Sequence, residues 1–231
     1  MKAADVMTTP VITVDLDTPV GEIARRLLQR RISAVPVIDT EARLVGVVSE
    51  GDLMRRPETG GDRHPSWWLG LLADSETRAG EYVKAHGAFA RDVMTREVRT
   101  VTEDASLEEI ATLLERHHIK RAPVVRGDRL VGIVSRANLL QGIVARQRAT
   151  LPSTDDRALR DRVMEEIGSS GAQSTYVNAL VSGGVVQLWG VTFSEAERDA
   201  IELAARHAGG AAVDSHIGVL SPMTRSMLGS V

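Results

Sequence analysis

The sequence predicts an α+β protein in which a β-α-β-β-α half-unit occurs twice and a smaller α-β-β-α-β domain follows. Three observations predict it. Asp5-Val6-Met7-Thr8 returns as Asp92-Val93-Met94-Thr95, and Ile32-Ser33-Ala34-Val35-Pro36-Val37 returns as Ile119-Lys120-Arg121-Ala122-Pro123-Val124. Leu44-Val45-Gly46-Val47-Val48-Ser49 returns as Leu130-Val131-Gly132-Ile133-Val134-Ser135, so three blocks recur in the same order. Beyond residue 150 the pattern changes to a helix, two strands joined by Gly183-Gly184, another helix and a last strand.

In the first copy, Val11 to Val14 is a short extended run. Asp17, Thr18 and Pro19 then suit an N-cap and a first helical turn. Val20, Ile23, Ala24, Leu27 and Leu28 follow at helical spacing with arginines opposite, and Leu107, Ile110, Ala111 and Leu114 repeat this in the second copy. Ala34 to Ile38 and Leu44 to Ser49 read as strands around a polar turn, longer by one residue in the first copy. A short helix begins near Glu50 and contains Leu53 and Met54. One copy alone would leave its apolar face in water, and pairing the two would bury it. The repeats are bounded at 1–57 and 89–148.

Residues 58–88 form an insertion longer than most loops of compact domains. It opens on polar, Gly-rich sequence and continues through Trp67, Trp68, Leu71 and Leu72 to Tyr82, which predicts one or two helices packed against the repeats or another subunit, or a lid over a ligand. Thr150 to Thr154 reads as a linker, with Ser153 or Thr154 capping a helix that carries Leu159, Val163, Met164 and Ile167. Thr175 to Val181 and Val185 to Gly190 form a hairpin, Ser194 to His207 a helix, Ala212 to Leu220 a final strand, and 222–231 a frayed tail. This domain spans 155–221.

Composition narrows the function. With no cysteine, disulfides, thiol catalysis and cysteine metal sites are excluded. A net charge of −3 with mixed signs gives no general attraction to nucleic acid or anionic membrane. The opening residues lack the apolar run of a secretory signal, and no stretch approaches the ~20 apolar residues of a membrane span. The expected compartment is the cytoplasm. His117 and His118 are adjacent and diverge by about 100° on a helix, so they cannot share a metal. Asp214 and His216 share one side of a strand without a third ligand, and no metal is required. No phosphate-loop, dinucleotide or zinc-protease motif occurs, and no constellation supports catalysis.

Ser49 and Asp52 stand three apart at a strand-to-helix junction, as do Ser135 and Asn138. Ser-x-x-Asp there is either a capping box or a hydroxyl and a carboxylate presented to a ligand, and one residue can do both. The paired Asp-Val-Met-Thr starts, the two x-Pro-Val turns and Gly46-Val47-Val48-Ser49-Glu50-Gly51-Asp52 resemble a CBS domain pair, the module named after cystathionine β-synthase. Gly184-Val185-Val186-Gln187-Leu188-Trp189-Gly190 and the helix after it resemble a BON domain.

The first resemblance implies a non-catalytic regulatory sensor, in a homodimer, that holds AMP, ADP, ATP or a similar adenosine nucleotide between its repeats. By that likeness Asp52 would accept the ribose hydroxyls and Ser49 would contact phosphate. Ala34 and Val35 would read the adenine edge, Pro36 would shape the wall, and Thr13 belongs to the same set. In the second copy the set is Lys120, Arg121, Pro123, Ser135, Arg136 and Asn138. Asn138 replaces the expected acid and loses the charge-assisted bond, so unequal sites are expected. Lys120, Arg121 and Arg136 would offer positive charge to phosphates or form a solvated rim. The BON likeness implies a partner protein or phospholipid. From residue 153 onward acids outnumber arginines and lysine is absent, which ranks protein above lipid. The alternative is a constitutive adaptor whose CBS pair serves only as a dimerisation platform.

Overall fold

The structure, a computed structural model, describes residues 1–54, 87–146, 154–172, 176–210 and 212–220. The expectations for Trp67, Trp68, Tyr82, the 150–153 linker and the 222–231 tail fall outside them. The chain divides into two compact units, one of Val11–Thr100 with Val125–Leu130 and the other of Met1–Pro10, Val101–Val124 and Val131–Val231.

In the first unit, β1 (Val14–Asp15) pairs in parallel with β2 (Ala34–Ile38), which pairs antiparallel with β3 (Leu44–Ser49). Helix α2 (Val20–Arg30) joins β1 to β2 and buries Ile23 and Leu27, while α3 (Glu50–Met54) follows β3 directly. The helix start differs from the Asp17-Thr18-Pro19 expectation. Pro19 is itself the N-cap and brings no side-chain bond. Thr18 Oγ1 instead accepts the Asp15 N–H at 3.0 Å, and Asp17 pairs with Arg91. The Val20 N–H is satisfied by the Ala88 carbonyl at 2.9 Å. A backbone acceptor from the chain entering the second repeat thus does the work of the cap. The second repeat keeps its local solution: Ser106 Oγ accepts the Glu109 N–H while Glu109 accepts the Ser106 N–H, a reciprocal cap on α5 (Leu107–Arg116).

Each Asp-Val-Met-Thr block forms a short helix and its exit, and each packs on the repeat it does not belong to by sequence. Helix α4 (Ala90–Val93) and Met94 lie in the first unit, in one core with Val14, Ile23, Val35, Val37 and Val48. Thr95 and Val47 exchange backbone bonds of 2.9 and 3.0 Å. In the second unit α1 (Ala3–Val6) and Met7 join Ile110, Leu114, Ala122, Val124 and Val134, and Thr8 bonds Ile133. Glycine makes both contacts possible. A Cβ on Gly46 would lie 2.5 Å from the Met94 sulfur, and one on Gly132 would collide with Met7. Gly46→Ala is expected to lower stability by about 1–3 kcal/mol through overpacking. Trimming Met94 to Ala in the same chain should make the combined loss smaller than the sum of the single losses in thermal melts.

The second sheet has the order β4 (Val101–Thr102), β5 (Arg121–Arg126), β6 (Arg129–Ser135), with α6 (Arg136–Arg146) after β6. The C-terminal domain begins with α7 (Thr154–Ser169). There β7 (Val177–Ser182) and β8 (Val185–Thr192) form the predicted hairpin, in register from Val177↔Gly190 to Ser182↔Val185. Gly183 and Gly184 turn at φ 59° and 76°, which only glycine adopts without strain. Their N–H groups both donate to Asp156. Helix α8 (Glu195–His207), capped by Ser194, carries the chain to β9 (Ala212–Val219), parallel to β8. Val163, Ile167, Ala179, Leu188 and Ile201 centre the core.

Candidate functional site

In the first repeat β2 and β3 place Ala34 opposite Ser49, and the chain turns straight from Ser49 into α3. The Glu50 N–H is taken by the Ser33 carbonyl at 3.0 Å. Asp52, 8% exposed, caps its helix through Oδ2, which receives the Ser49 N–H at 2.9 Å and the Ser49 hydroxyl at 2.6 Å. Ser49 Oγ lies 3.4 Å from the Asp52 nitrogen. The capping box is therefore real, yet it consumes half of the carboxylate. Among the described residues Oδ1 accepts no hydrogen bond, although a carboxylate offers roughly four lone-pair positions. Val35 and Pro36 are buried and Ala34 is partly open. The Thr13 carbonyl is already engaged by Arg26 at 2.9 Å, and Arg26 is in turn held by Glu22.

The second repeat reproduces this geometry with different chemistry. Asn138 Oδ1 accepts the Ser135 N–H and the Ser135 hydroxyl, both at 2.8 Å. The Ser135 N–H can only donate, so the amide oxygen must sit there. Nδ2 is left in the position that Asp52 gives to its open oxygen. It donates to Thr8 Oγ1 at 3.3 Å and to Gln141 Oε1 at 3.4 Å. Both amide protons are committed. Lys120 and Arg136 are exposed and make no ion pair among the described residues, Arg121 is partly buried at the start of β5, and Pro123 is buried.

Thr8 and Gln141 escaped the sequence reading. In the sequence Thr8 is marked only by its recurrence as Thr95 in the repeated Asp-Val-Met-Thr motif. Gln141 lies one position beyond Leu140 on α6 and carries no signal of its own. His117 and His118 are exposed beyond the end of α5. His216 sits 3.3 Å from Asp214 and stacks on Trp189 with ring centres 4.1 Å apart, a structural use of its imidazole. No group of three metal-ligating side chains exists among the described residues. Among them, no helix is long and apolar enough to cross a membrane.

Comparison with known proteins places these features. The CBS domain family matches residues 3–58 and 90–145, and the BON domain family matches 155–221. The uncharacterized protein MJ1426 of Methanocaldococcus jannaschii is 28% identical over 155 residues, covering 62% of this chain and 92% of that protein. The chloroplastic CBS domain-containing protein CBSX1 of Arabidopsis thaliana is 32% identical over 138 residues. That match takes in 57% of this chain and only 58% of the plant protein, less than two thirds of its length. A crystal structure of CBSX2 in complex with AMP is 29% identical, with a TM-score of 0.55, over 64% of this chain and 99% of that one. The chain is a tandem CBS-domain protein with a C-terminal BON domain.

Proposed function

We propose that this protein is a non-catalytic regulatory sensor that binds an adenosine nucleotide at its CBS repeats and reports it through a homodimer and the BON domain. One observation carries the reading. At the first repeat a nearly buried carboxylate caps its helix with one oxygen and, among the described residues, leaves the other without a partner, as suits a group that accepts ribose hydroxyls. Ser49, Ala34 and the neighbouring backbone of β2 surround it. AMP is the first ligand to test, because a solved CBS protein of similar fold holds AMP.

At the second repeat the corresponding position is an amide whose donors are already spent, so the first repeat is the stronger ribose site. A homodimer is supported by α6, where Leu140, Ile143 and Val144 stand 64%, 53% and 38% exposed along one side. Unsupported apolar surface of this kind marks an association face. The BON domain supplies a groove of about 740 Å³ between α7 and α8, floored by Ala204 and exposed Leu203 and rimmed by Glu166, Arg206 and His207. Its mixed charge favours a protein partner over anionic lipid. We assign the chain to the cytoplasm.

Titration calorimetry of the full chain with AMP, ADP and ATP tests the reading, and no heat with any of them at millimolar concentration would leave the constitutive adaptor. Asn138→Asp provides a sharper version. It restores an acceptor where the amide now donates, and Thr8 can turn its hydroxyl hydrogen toward it. AMP affinity at the second repeat is expected to rise about tenfold, the worth of one charge-assisted bond, and stoichiometry to move toward two per chain.

A further inference from the structure

Asn138 is one end of a chain of buried and half-buried amides whose other end belongs to the BON domain. Gln141 Oε1, which receives Asn138 Nδ2, also receives Asn178 Nδ2 from β7 at 3.1 Å. Asn178 Nδ2 donates as well to the Val6 carbonyl at 3.0 Å, and its Oδ1 accepts from Arg160 Nη2 at 3.1 Å. Arg160, on α7, donates further to the Met7 carbonyl and, at 2.7 Å, to the Ala179 carbonyl. Asn138, Asn178 and Arg160 are 4%, 5% and 2% exposed. The direction of every bond is fixed by its ends, because a guanidinium can only donate and the Ser135 N–H can only donate. No amide in the chain can flip without leaving a buried donor facing a donor.

We infer that the BON domain sets how tightly the second CBS repeat holds its ligand, through the hydrogen-bonded chain Asn138–Gln141–Asn178–Arg160. The inference rests on the nucleotide reading and adds its regulation. A ribose hydroxyl that draws on the Asn138 amide must take Nδ2 away from Gln141 or Thr8. Gln141 then loses one of the two donors that hold its oxygen toward Asn178. Ligand at the second repeat and the BON contact with Gln141 therefore oppose each other, and by linkage the antagonism is mutual. Loosening Asn178 lets Gln141 follow the ligand, whereas a firmly docked BON domain holds Asn138 in its closed arrangement. A largely buried network transmits the effect because the bonds at its Asn178 and Arg160 end have little water to replace them.

The test isolates the second repeat by working in an Asp52→Ala chain and titrating AMP calorimetrically, with and without Asn178→Ala. Among the described residues Asn178 makes no hydrogen bond to Ser135 or Asn138, and its side-chain link to Asn138 runs through Gln141. AMP affinity is expected to increase 3- to 10-fold when Asn178 is truncated, while Asn178→Ala in a chain retaining Asp52 leaves affinity at the first repeat unchanged. If Asn178→Ala melts without folding, Gln141→Met, which removes the shared acceptor and keeps the volume, is titrated in the same way with the same expectation. Equal second-repeat affinity with and without the substitution, with normal AMP binding at the first repeat, would overturn the coupling and leave the sensor standing. Absence of AMP binding at both repeats in every chain would overturn both.

Discussion

Asp52→Ala is expected to weaken AMP binding at the first repeat by roughly 10- to 100-fold while costing only about 1 kcal/mol of stability. The two effects separate because the two oxygens do different work. Oδ2 holds the Ser49 N–H and hydroxyl, and losing it removes an ordinary helix cap. Oδ1 is the acceptor we assign to ribose. A pair of hydroxyls on a partly desolvated carboxylate is worth about 1.5–3 kcal/mol, and that is what the affinity ratio reads. Asp52→Asn discriminates further. Its amide oxygen can take over the cap, as Asn138 does in the second repeat, and its nitrogen then occupies the ribose position. Near-normal melting with weakened AMP binding is the expected result. Calorimetric affinities equal to the parent in both variants would show that the carboxylate serves its helix alone.

What the sequence disclosed follows the range of the interactions involved. Ala34–Ile38, Leu44–Ser49 and the Gly183-Gly184 hairpin are local matters of alternation and backbone freedom, and the structure has them where their residues predict. The Ser-x-x-Asp pattern was legible as cap and as ligand group, because both uses call for the same atoms at the same spacing. Only coordinates distinguish the occupied oxygen from the open one. The exchange of the two Asp-Val-Met-Thr arms was not legible. Identical blocks fit identical sheets, and nothing local decides whether Met7 or Met94 fills the hollow at Gly46 or at Gly132. The helix start after Asp17 misled for a similar reason, since Ala88 supplies its cap from far along the chain. Arg160 was countable only as a charge. Yet it stands one residue after Leu159 and three before Val163, inside the stripe that α7 buries, and a charge in such a stripe is a signal of buried pairing.

That arginine supplies the largest stability change expected outside the nucleotide site. Among the described residues no carboxylate lies within ion-pair distance of Arg160, and its Nη1 has no partner. Burial pushes the guanidinium down to about 10 from 12.5, so it remains charged at neutral pH at a desolvation penalty on the order of 3 kcal/mol. Against this stand three acceptors to which this side chain donates: the carbonyls of Met7 and Ala179 and the amide oxygen of Asn178. Each one left dry costs about 1–3 kcal/mol. The acceptors outweigh the penalty. Arg160→Met, which keeps most of the volume, is therefore expected to destabilise the second unit by about 2–4 kcal/mol, read as a melting temperature roughly 5–15 °C lower. Arg160→Lys should recover little of it, because one ammonium cannot span three acceptors set for a planar fork. A methionine variant that melts higher than the parent would reverse the balance: desolvation would then exceed the hydrogen bonds, and the contact of the BON domain with the N-terminal arm would be held by the apolar packing of Leu180 and Trp189, on β7 and β8, instead.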